Sequence, residues 1–378
     1  MSTPPRLIAS AEEYRGLVGT LRREPILAVD TEAASFHRHA NRIYLLQVST
    51  RTETAVIDPM AVSDLTAFGE VLADPGIEVV FHDADYDLRL LHHQYGFQVR
   101  RLFDTRVAAE FVGEPGLSLA ALLTAHFGVK VDKRFQRADW SARPLSGDML
   151  AYAAGDTQHL VELRDILKQK LEDMGRLGWA EEEFGLLEGV RWNAGKDREP
   201  AYLRIKSAKA LSLRQLAILR EVHRWRVGVA VKLDRAEFRV LSNEALLDIS
   251  KTAPTSDEAL ARIKGVGPDT VRRRGSAILA AVARGLALPE DDLPKPPRPA
   301  KRVRQPDVEA RIARLKTARG AVTKRIGLAP GVIFPNSLLE AVAKSGPKDL
   351  PALAGVDGVR TWQVETFGVD LLEAVNGS

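Results

Sequence analysis

Leu27-Ala28-Val29-Asp30-Thr31-Glu32 carries an apolar, strand-like run into two carboxylates, and its reading decides the fold of the first half of the chain. Strand alternation places Asp30 and Glu32 on one face, at the point where strand gives way to loop. Two later segments add acids. His82-Asp83-Ala84-Asp85-Tyr86-Asp87 closes another apolar run, and Tyr152-Ala153-Ala154-Gly155-Asp156 sits in a helix-like stretch. A spacing of four puts Tyr152 and Asp156 on the same helix face. Carboxylates gathered without matching cations repel and resist ionisation. Divalent cations remove that conflict, and a hard ion such as Mg²⁺ prefers oxygen ligands. The three segments together point to a metal-dependent centre for phosphodiester cleavage.

Working outward, strand-like runs occur at Ile26–Asp30, Ile43–Ser49, Ala55–Asp58 and Ile77–His82. Helix-like stretches occupy 62–73, 84–95, 105–112, 117–127 and 147–171. This order predicts an α/β domain with a mixed sheet. The short connection at Arg51-Thr52-Glu53 reads as a hairpin turn. No Gly-rich loop follows the first strand, which argues against a dinucleotide-binding or P-loop protein.

Each acid also has a plainer reading. Asp30 alone would serve as a surface turn or a cap. Any of Asp83, Asp85 and Asp87 can cap the following helix, and chemistry alone does not choose between Asp85 and Asp87. Asp87 lies beyond the expected helix start, beside the apolar Leu88 and Leu91, where an acid needs a reason. Tyr152 reads equally as a packed aromatic with a wet hydroxyl. Its pairing with Asp156 favours chemistry, because a phenol can hydrogen-bond an attacking water and orient it while metals promote deprotonation.

The 378 residues are enough for two or three domains. There is no cysteine, so disulfides, thiolate zinc sites and cysteine nucleophiles are excluded. No apolar run is long enough to span a bilayer, and the polar start lacks a secretory apolar region, so a cytoplasmic, membrane-free protein is expected. The net charge of +4 hides a division. Residues 1–185 hold 20 Lys/Arg against 28 Asp/Glu, a balance of −8, and residues 186–378 hold 34 against 22, a balance of +12. An acidic half for metals beside a basic half for a polyanion suits nucleic acid.

The basic half repeats itself. Asn243 matches Asn336, Leu246 matches Leu339, Pro254 matches Pro347, Gly265 matches Gly358 and Gly275 matches Gly368, all at an offset of 93; Arg226 and Arg319 match upstream. Two compact helical domains related by duplication are expected. The reading divides the chain into a nuclease domain with its connection (1–205), a first helical domain (206–289), a Pro/basic linker (290–306) and a second, divergent helical domain (307–378). In the linker, Pro294, Pro296, Pro297 and Pro299 alternate with Lys295, Arg298, Lys301, Arg302 and Arg304, which suits a solvated spacer or phosphate contact.

In order, separation and surroundings, these motifs resemble the ribonuclease D branch of the DEDD 3′→5′ exonucleases. The likeness rests on Asp30-Thr31-Glu32, on His82 five residues before Asp87, and on Tyr152-x-x-x-Asp156. It extends through Phe103-Asp104-Thr105 and Asp139-Trp140-Ser141-Ala142-Arg143-Pro144-Leu145. That resemblance, and not periodicity, selects Asp87 over Asp85. It implies an RNase H-like fold, two divalent cations (Mg²⁺ or Mn²⁺) on Asp30, Glu32, Asp87 and Asp156, and a water positioned by Tyr152. It also implies stepwise release of nucleoside 5′-monophosphates from an RNA 3′ end, with precursor tRNA as substrate and a monomer as the working form. Lys130, Lys133, Arg134, Arg137 and Arg143 are expected to contact RNA, with His82 and Trp140 supporting the site; Arg143 reads equally as a brace for the active-site helix. Both repeats are similar to the helicase-and-ribonuclease-D C-terminal domain. In the first, Gly265-Val266-Gly267 with Lys264, Arg272, Arg273 and Arg274 offers phosphate contacts. The second has Gly358-Val359-Arg360 instead and reads as a clamp on the first copy or a wider funnel. A DNA 3′ exonuclease and a catalytically retired RNA-binding protein are the competing readings.

Overall fold

The computed structural model describes residues 5–192, 199–296 and 305–377. Asn193, Ala194 and Gly195 of the expected connection lie outside the described residues, as do Pro297, Arg298, Pro299, Lys301, Arg302 and Arg304 of the linker. The α/β half opens with β1 (Arg6–Ile8), α1 (Ala11–Leu21), β2 (Ile26–Ala33), β3 (Ile43–Ser49) and β4 (Thr54–Ile57). It continues through α2 (Thr66–Leu72), β5 (Glu78–Phe81), α3 (Asp85–Tyr95), β6 (Leu102–Asp104), α4 (Thr105–Val112) and α5 (Leu119–Phe127). It closes with α6 (Gly147–Gly155), α7 (Leu160–Asp173) and α8 (Leu177–Glu188).

The six strands form one mixed sheet in the order β1-β4-β3-β2-β5-β6. β2/β3 and β3/β4 are antiparallel and the other pairs parallel. The expected hairpin is therefore present, joining β3 to β4. β2 is central, buried over Ile26–Val29 and opening into partly exposed residues from Asp30 onward. A register shift between Glu32 and Ala33 ends its regular pairing with β3.

Two expectations about local structure are corrected. The stretch 147–171 is not one helix: the Thr157 hydroxyl bonds Ser49 Oγ at 2.7 Å and the Ala154 carbonyl at 3.4 Å, and the chain turns there before α7 begins. Residues 185–205 are not all connection, since α8 runs to Glu188. The edge strands β1 and β6, three residues each, carry too little alternation to register, and helix α1 adds a further element to those expected.

None of Asp83, Asp85 and Asp87 caps α3. Asp104 does that work from β6. Its carboxylate accepts the backbone N–H groups of Asp83 and Ala84 at 3.1 and 2.7 Å, and those of Arg106 and Val107 at the start of α4. One buried acid thus fixes the left-handed turn at Asp83 (φ 64°) and the starts of two helices. Asp85 turns outward to Arg89, 2.6 Å away.

The helical half builds the same domain twice. α9 (Leu213–Leu233), α10 (Glu237–Val240), α11 (Asn243–Thr252), α12 (Asp257–Ala261) and α13 (Pro268–Ala287) are followed by α14 (Pro306–Ile326), α15 (Pro330–Ile333), α16 (Asn336–Ser345), α17 (Leu350–Ala354) and α18 (Thr361–Asn376). The repeat extends to hydrogen bonds. Arg226 donates to Leu241 O and Asn243 Oδ1, and Arg319 donates to Phe334 O and Asn336 Oδ1. Gly265 and Gly358 share φ +88°, a backbone state that costs glycine little.

The copies differ in what they touch. The first has a core of its own, whereas the core of the second is continuous with that of the α/β domain. Trp362 stacks on Trp179, Arg360 forms a two-pronged ion pair with Glu183, and Glu182 accepts the N–H groups of Thr361 and Trp362 at the start of α18. The expectation that the second copy clamps the first is replaced by this seat on α8. The first copy meets the α/β domain elsewhere. Asp234 accepts the N–H groups of His39 and Ala40, each at 3.2 Å, and Ala236 N–H donates to His37 O at 3.0 Å.

Candidate active site

The outward end of β2, the first turn of α3 and the end of α6 meet at one edge of the sheet. Asp30, Glu32 and Asp156 each offer a carboxylate oxygen, and these oxygens all lie within 4.8 Å of one another. Asp156 is the residue that caps the C-terminal end of α6, with helical backbone angles, so Tyr152 sits one turn before it as the spacing predicts. Asp87 is 8% exposed and stands beside this trio, where its Oδ1 accepts the Thr31 hydroxyl at 2.5 Å. Its charge is felt at Glu32, and that of Asp30 at Asp87.

Electrostatics make the cluster unfavourable when empty of cations. Burial, and then the charge of Asp156, pushes the Asp30 carboxyl well above the ordinary range. Burial followed by Asp30 and Asp156 does the same to Glu32, and burial followed by Asp30 does so to Asp87. Burial raises Asp156 to about 7. Gln47 adds a second sign. It pairs across from Asp30 in the β2/β3 register, is fully buried, and neither end of its amide has a partner. Three converging carboxylates, with Asp87 beside them, and an orphaned amide fit a hard divalent cation, whose charge relieves the repulsion and whose coordination shell can engage a neighbouring amide.

Tyr152 is held by its neighbours. Phe135 meets it edge-on and Trp140 lies tilted against it, both at 5.9 Å between centroids. Burial first, then Asp156, Glu32 and Asp30, raise the phenol above its usual value. The hydroxyl therefore stays protonated and can donate or accept a hydrogen bond to a water. Trp140 is buried and supports Tyr152 by packing. His82 Nδ1 lies 3.0 Å from the Thr105 hydroxyl, and desolvation lowers its pKa, so it is a half-buried hydrogen-bonding group.

A cleft of about 280 Å³ opens beside Tyr152 and Asp156, lined by Leu123, Val131, Ala151 and His159 with Lys130 and Arg134. Two of the five expected basic rim residues thus reach it. Arg134 also pairs with Asp132 at 2.6 Å. Lys133 is exposed away from the cleft lining, and Arg137 lies over the Phe36 ring. Arg143 is corrected: both of its prongs reach Asp58, at 2.7 and 2.9 Å, and it donates to Tyr44 O and Trp140 O, so it is a brace and not a free phosphate contact. Lys264, Arg272, Arg273 and Arg274 do not line the cleft; Arg272 and Arg273 share Asp269.

Sequence reasoning missed Gln47 altogether and gave Thr31 and Asp104 no role of their own. Thr31 and Gln47 were within reach, as a hydroxyl between two acids and an amide inside an apolar strand. The four bonds of Asp104 depend on a chain reversal that no local pattern encodes.

Comparison with known proteins extends these observations. A family model described as 3'-5' exonuclease matches residues 5–172, and an HRDC domain model matches residues 215–282 and 308–375. A protein called Ribonuclease D from Granulibacter bethesdensis is 33% identical over 99% of this chain and 93% of its own length. Another of that name from Gluconacetobacter diazotrophicus is 34% identical over the same shares. The crystal structure of Escherichia coli RNase D, described as an exoribonuclease involved in structured RNA processing, superposes with a TM-score of 0.71. It is 25% identical and covers 99% of each chain.

Proposed function

Because this chain belongs to the ribonuclease D family, we propose that it is a metal-dependent 3′→5′ exoribonuclease that trims unpaired RNA 3′ tails. The observation that carries the reading is the convergence of Asp30, Glu32 and Asp156 within 4.8 Å, with Tyr152 one helical turn away. Asp30, Glu32, Asp87 and Asp156 would hold two divalent cations, Mg²⁺ or Mn²⁺. Such cations, when bound, promote deprotonation of water and offset the negative charge on the scissile phosphate and the leaving 3′ oxygen.

The rest falls to the protein. The Tyr152 hydroxyl, kept protonated, bonds the attacking water and orients it; Phe135 and Trp140 hold its ring. Thr31 donates to Oδ1 of Asp87 and so holds that carboxylate in place beside the other three acids. Lys130 and Arg134 meet backbone phosphates in the cleft. Each turnover releases a nucleoside 5′-monophosphate and exposes a new 3′ hydroxyl.

The substrate class follows the relatives. RNAs with a folded body and an accessible 3′ tail, precursor tRNA among them, match the description of the Escherichia coli protein and the basic helical half. Among the described residues, no helix is long and apolar enough to cross a membrane. The test is product analysis on 5′-labelled tailed RNA and on a matched DNA tail, with EDTA, Mg²⁺ or Mn²⁺. Metal-dependent 5′-monophosphate release from RNA is expected. Internal cleavage, metal-independent cleavage, or preference for DNA would overturn the reading.

A further inference from the structure

The seam between the nuclease and the first helical repeat carries two large aromatic rings that the fold leaves in solvent. Phe36 is 41% exposed and Phe238 is 50% exposed. The two meet edge-on at 6.3 Å, one from each domain. Each also has a guanidinium over it, Arg137 over Phe36 at 5.0 Å and Arg239 over Phe238 at 5.9 Å.

Docking does not account for this exposure. The seam is already closed by hydrogen bonds: Asp234 Oδ1 accepts the N–H groups of His39 and Ala40, Ala236 N–H donates to His37 O, and Arg239 Nε donates to Phe36 O. Rings needed only for docking would be buried by it. Position matters as well. Phe36 lies four residues beyond Glu32, so its Cα stands no more than about 14 Å from the Cα of that metal-site residue.

Exposed aromatic faces interleaved with arginines are the chemistry that receives single-stranded nucleic acid. Rings take up bases by stacking, whatever the base, while guanidinium groups meet the phosphates between them. We infer that Phe36 and Phe238, with Arg137 and Arg239, form a two-domain platform on which an unpaired nucleobase of the RNA tail stacks just before the active site. This rests on the exoribonuclease reading and deepens it. The platform exists only when the first repeat is docked, so docking and tail capture are one event.

The test needs binding and no hydrolysis. Full-length protein in EDTA is titrated, by fluorescence anisotropy, into a 5′-labelled hairpin RNA with a single-stranded 3′ tail, and into copies carrying one abasic site at each tail position in turn. Phe238→Ala should weaken binding of the intact tail roughly ten-fold, and Phe238→Trp should restore it. One abasic position should cost the wild-type protein a similar factor and cost Phe238→Ala nothing further. Phe36→Ala should mask the same position or its neighbour. If Phe238→Ala weakens every RNA equally, with no masked position, the rings serve only the joint and the platform is overturned. Unchanged affinity overturns it too, as does tighter binding of a matched DNA tail. If the wild-type protein fails to hold the tailed RNA at all, the exoribonuclease reading falls with it.

Discussion

Trp179 of the nuclease and Trp362 of the second helical repeat stack with centroids 4.8 Å apart and planes 20° from parallel. Phe111 and Phe367 close on the same pair. The second repeat is therefore part of the nuclease core, and its divergence from Gly-Val-Gly to Gly-Val-Arg has a physical sense: Arg360 is spent on Glu183. Trp362→Ala should destabilise the nuclease by about 3–5 kcal/mol, as expected for truncating a packed aromatic. Urea unfolding followed by circular dichroism measures this. A loss no larger than about 1 kcal/mol, the worth of one aromatic contact, would mean that the docked pair adds little.

Asp87 and Asp85 differ by environment although they stand two residues apart. Asp87 is buried beside the acidic trio, and Asp85 faces Arg89. Asp87→Asn is expected to cut the rate of 5′-monophosphate release by at least about a hundred-fold, the scale of losing one electrostatic element of a site. Asp85→Asn should keep most of the rate, and Thr31→Val should fall between them. Single-turnover rates at saturating Mg²⁺ rank the three. An Asp85→Asn slower than Asp87→Asn would reverse the assignment.

Tyr152→Phe keeps the ring against Phe135 and Trp140 and removes only the hydroxyl. It should lower the single-turnover rate about a hundred-fold, within the range of positioned acid–base groups, and leave RNA affinity near wild type. Equilibrium binding measured beside single-turnover cleavage separates the two. Weak binding with normal cleavage of bound RNA would assign Tyr152 to substrate packing.

How far could the site be read without coordinates? The alternation of Asp30 and Glu32 and the four-residue step from Tyr152 to Asp156 are local periods, so the trio was legible. The duplicated helices were legible as well, because a fixed offset survives divergence. The choice of Asp87 was not a matter of period; it needed the family resemblance, and the structure adds Thr31 as the partner that holds it. Trp179–Trp362, Phe36–Phe238 and Arg143–Asp58 join residues far apart in sequence, where no repeat or spacing announces a contact. Arg143 reads from sequence either as a phosphate contact or as a brace for that reason: charge is visible in a sequence, and its partner Asp58 is not.

Stability should depend on pH with opposite signs in the presence and absence of metal. Asp30, Glu32, Asp87 and Asp156 have carboxyls raised above their unfolded values, Asp156 to about 7. Below those folded pKa values the native state binds more protons than the unfolded chain. Metal-free protein should therefore lose stability as pH rises from about 5 to 8. Mg²⁺ binds the deprotonated acids, so its stabilisation should grow over the same window. Melting temperatures in EDTA and in Mg²⁺ across that range test both limbs. Parallel curves would argue against a metal on these acids.

Arg143 and the cleft cations Lys130 and Arg134 should separate cleanly. Asp58 is buried, which alone would raise its carboxyl, yet the bonds from Arg143 and from the Met60 N–H hold it below the ordinary range. A depressed folded pKa means stability that is present above the unfolded value and lost as pH falls through the folded one. Arg143→Gln should thus cost about 2–4 kcal/mol at neutral pH, since it strands a buried carboxylate, and the deficit should shrink in acid. Its RNA affinity, measured where the protein remains folded, should match wild type with the same salt dependence. Lys130→Gln and Arg134→Gln should do the reverse, leaving stability alone while each lowers affinity and reduces the slope of log K against log salt by about one. A flattened salt slope in Arg143→Gln would return that arginine to the RNA surface.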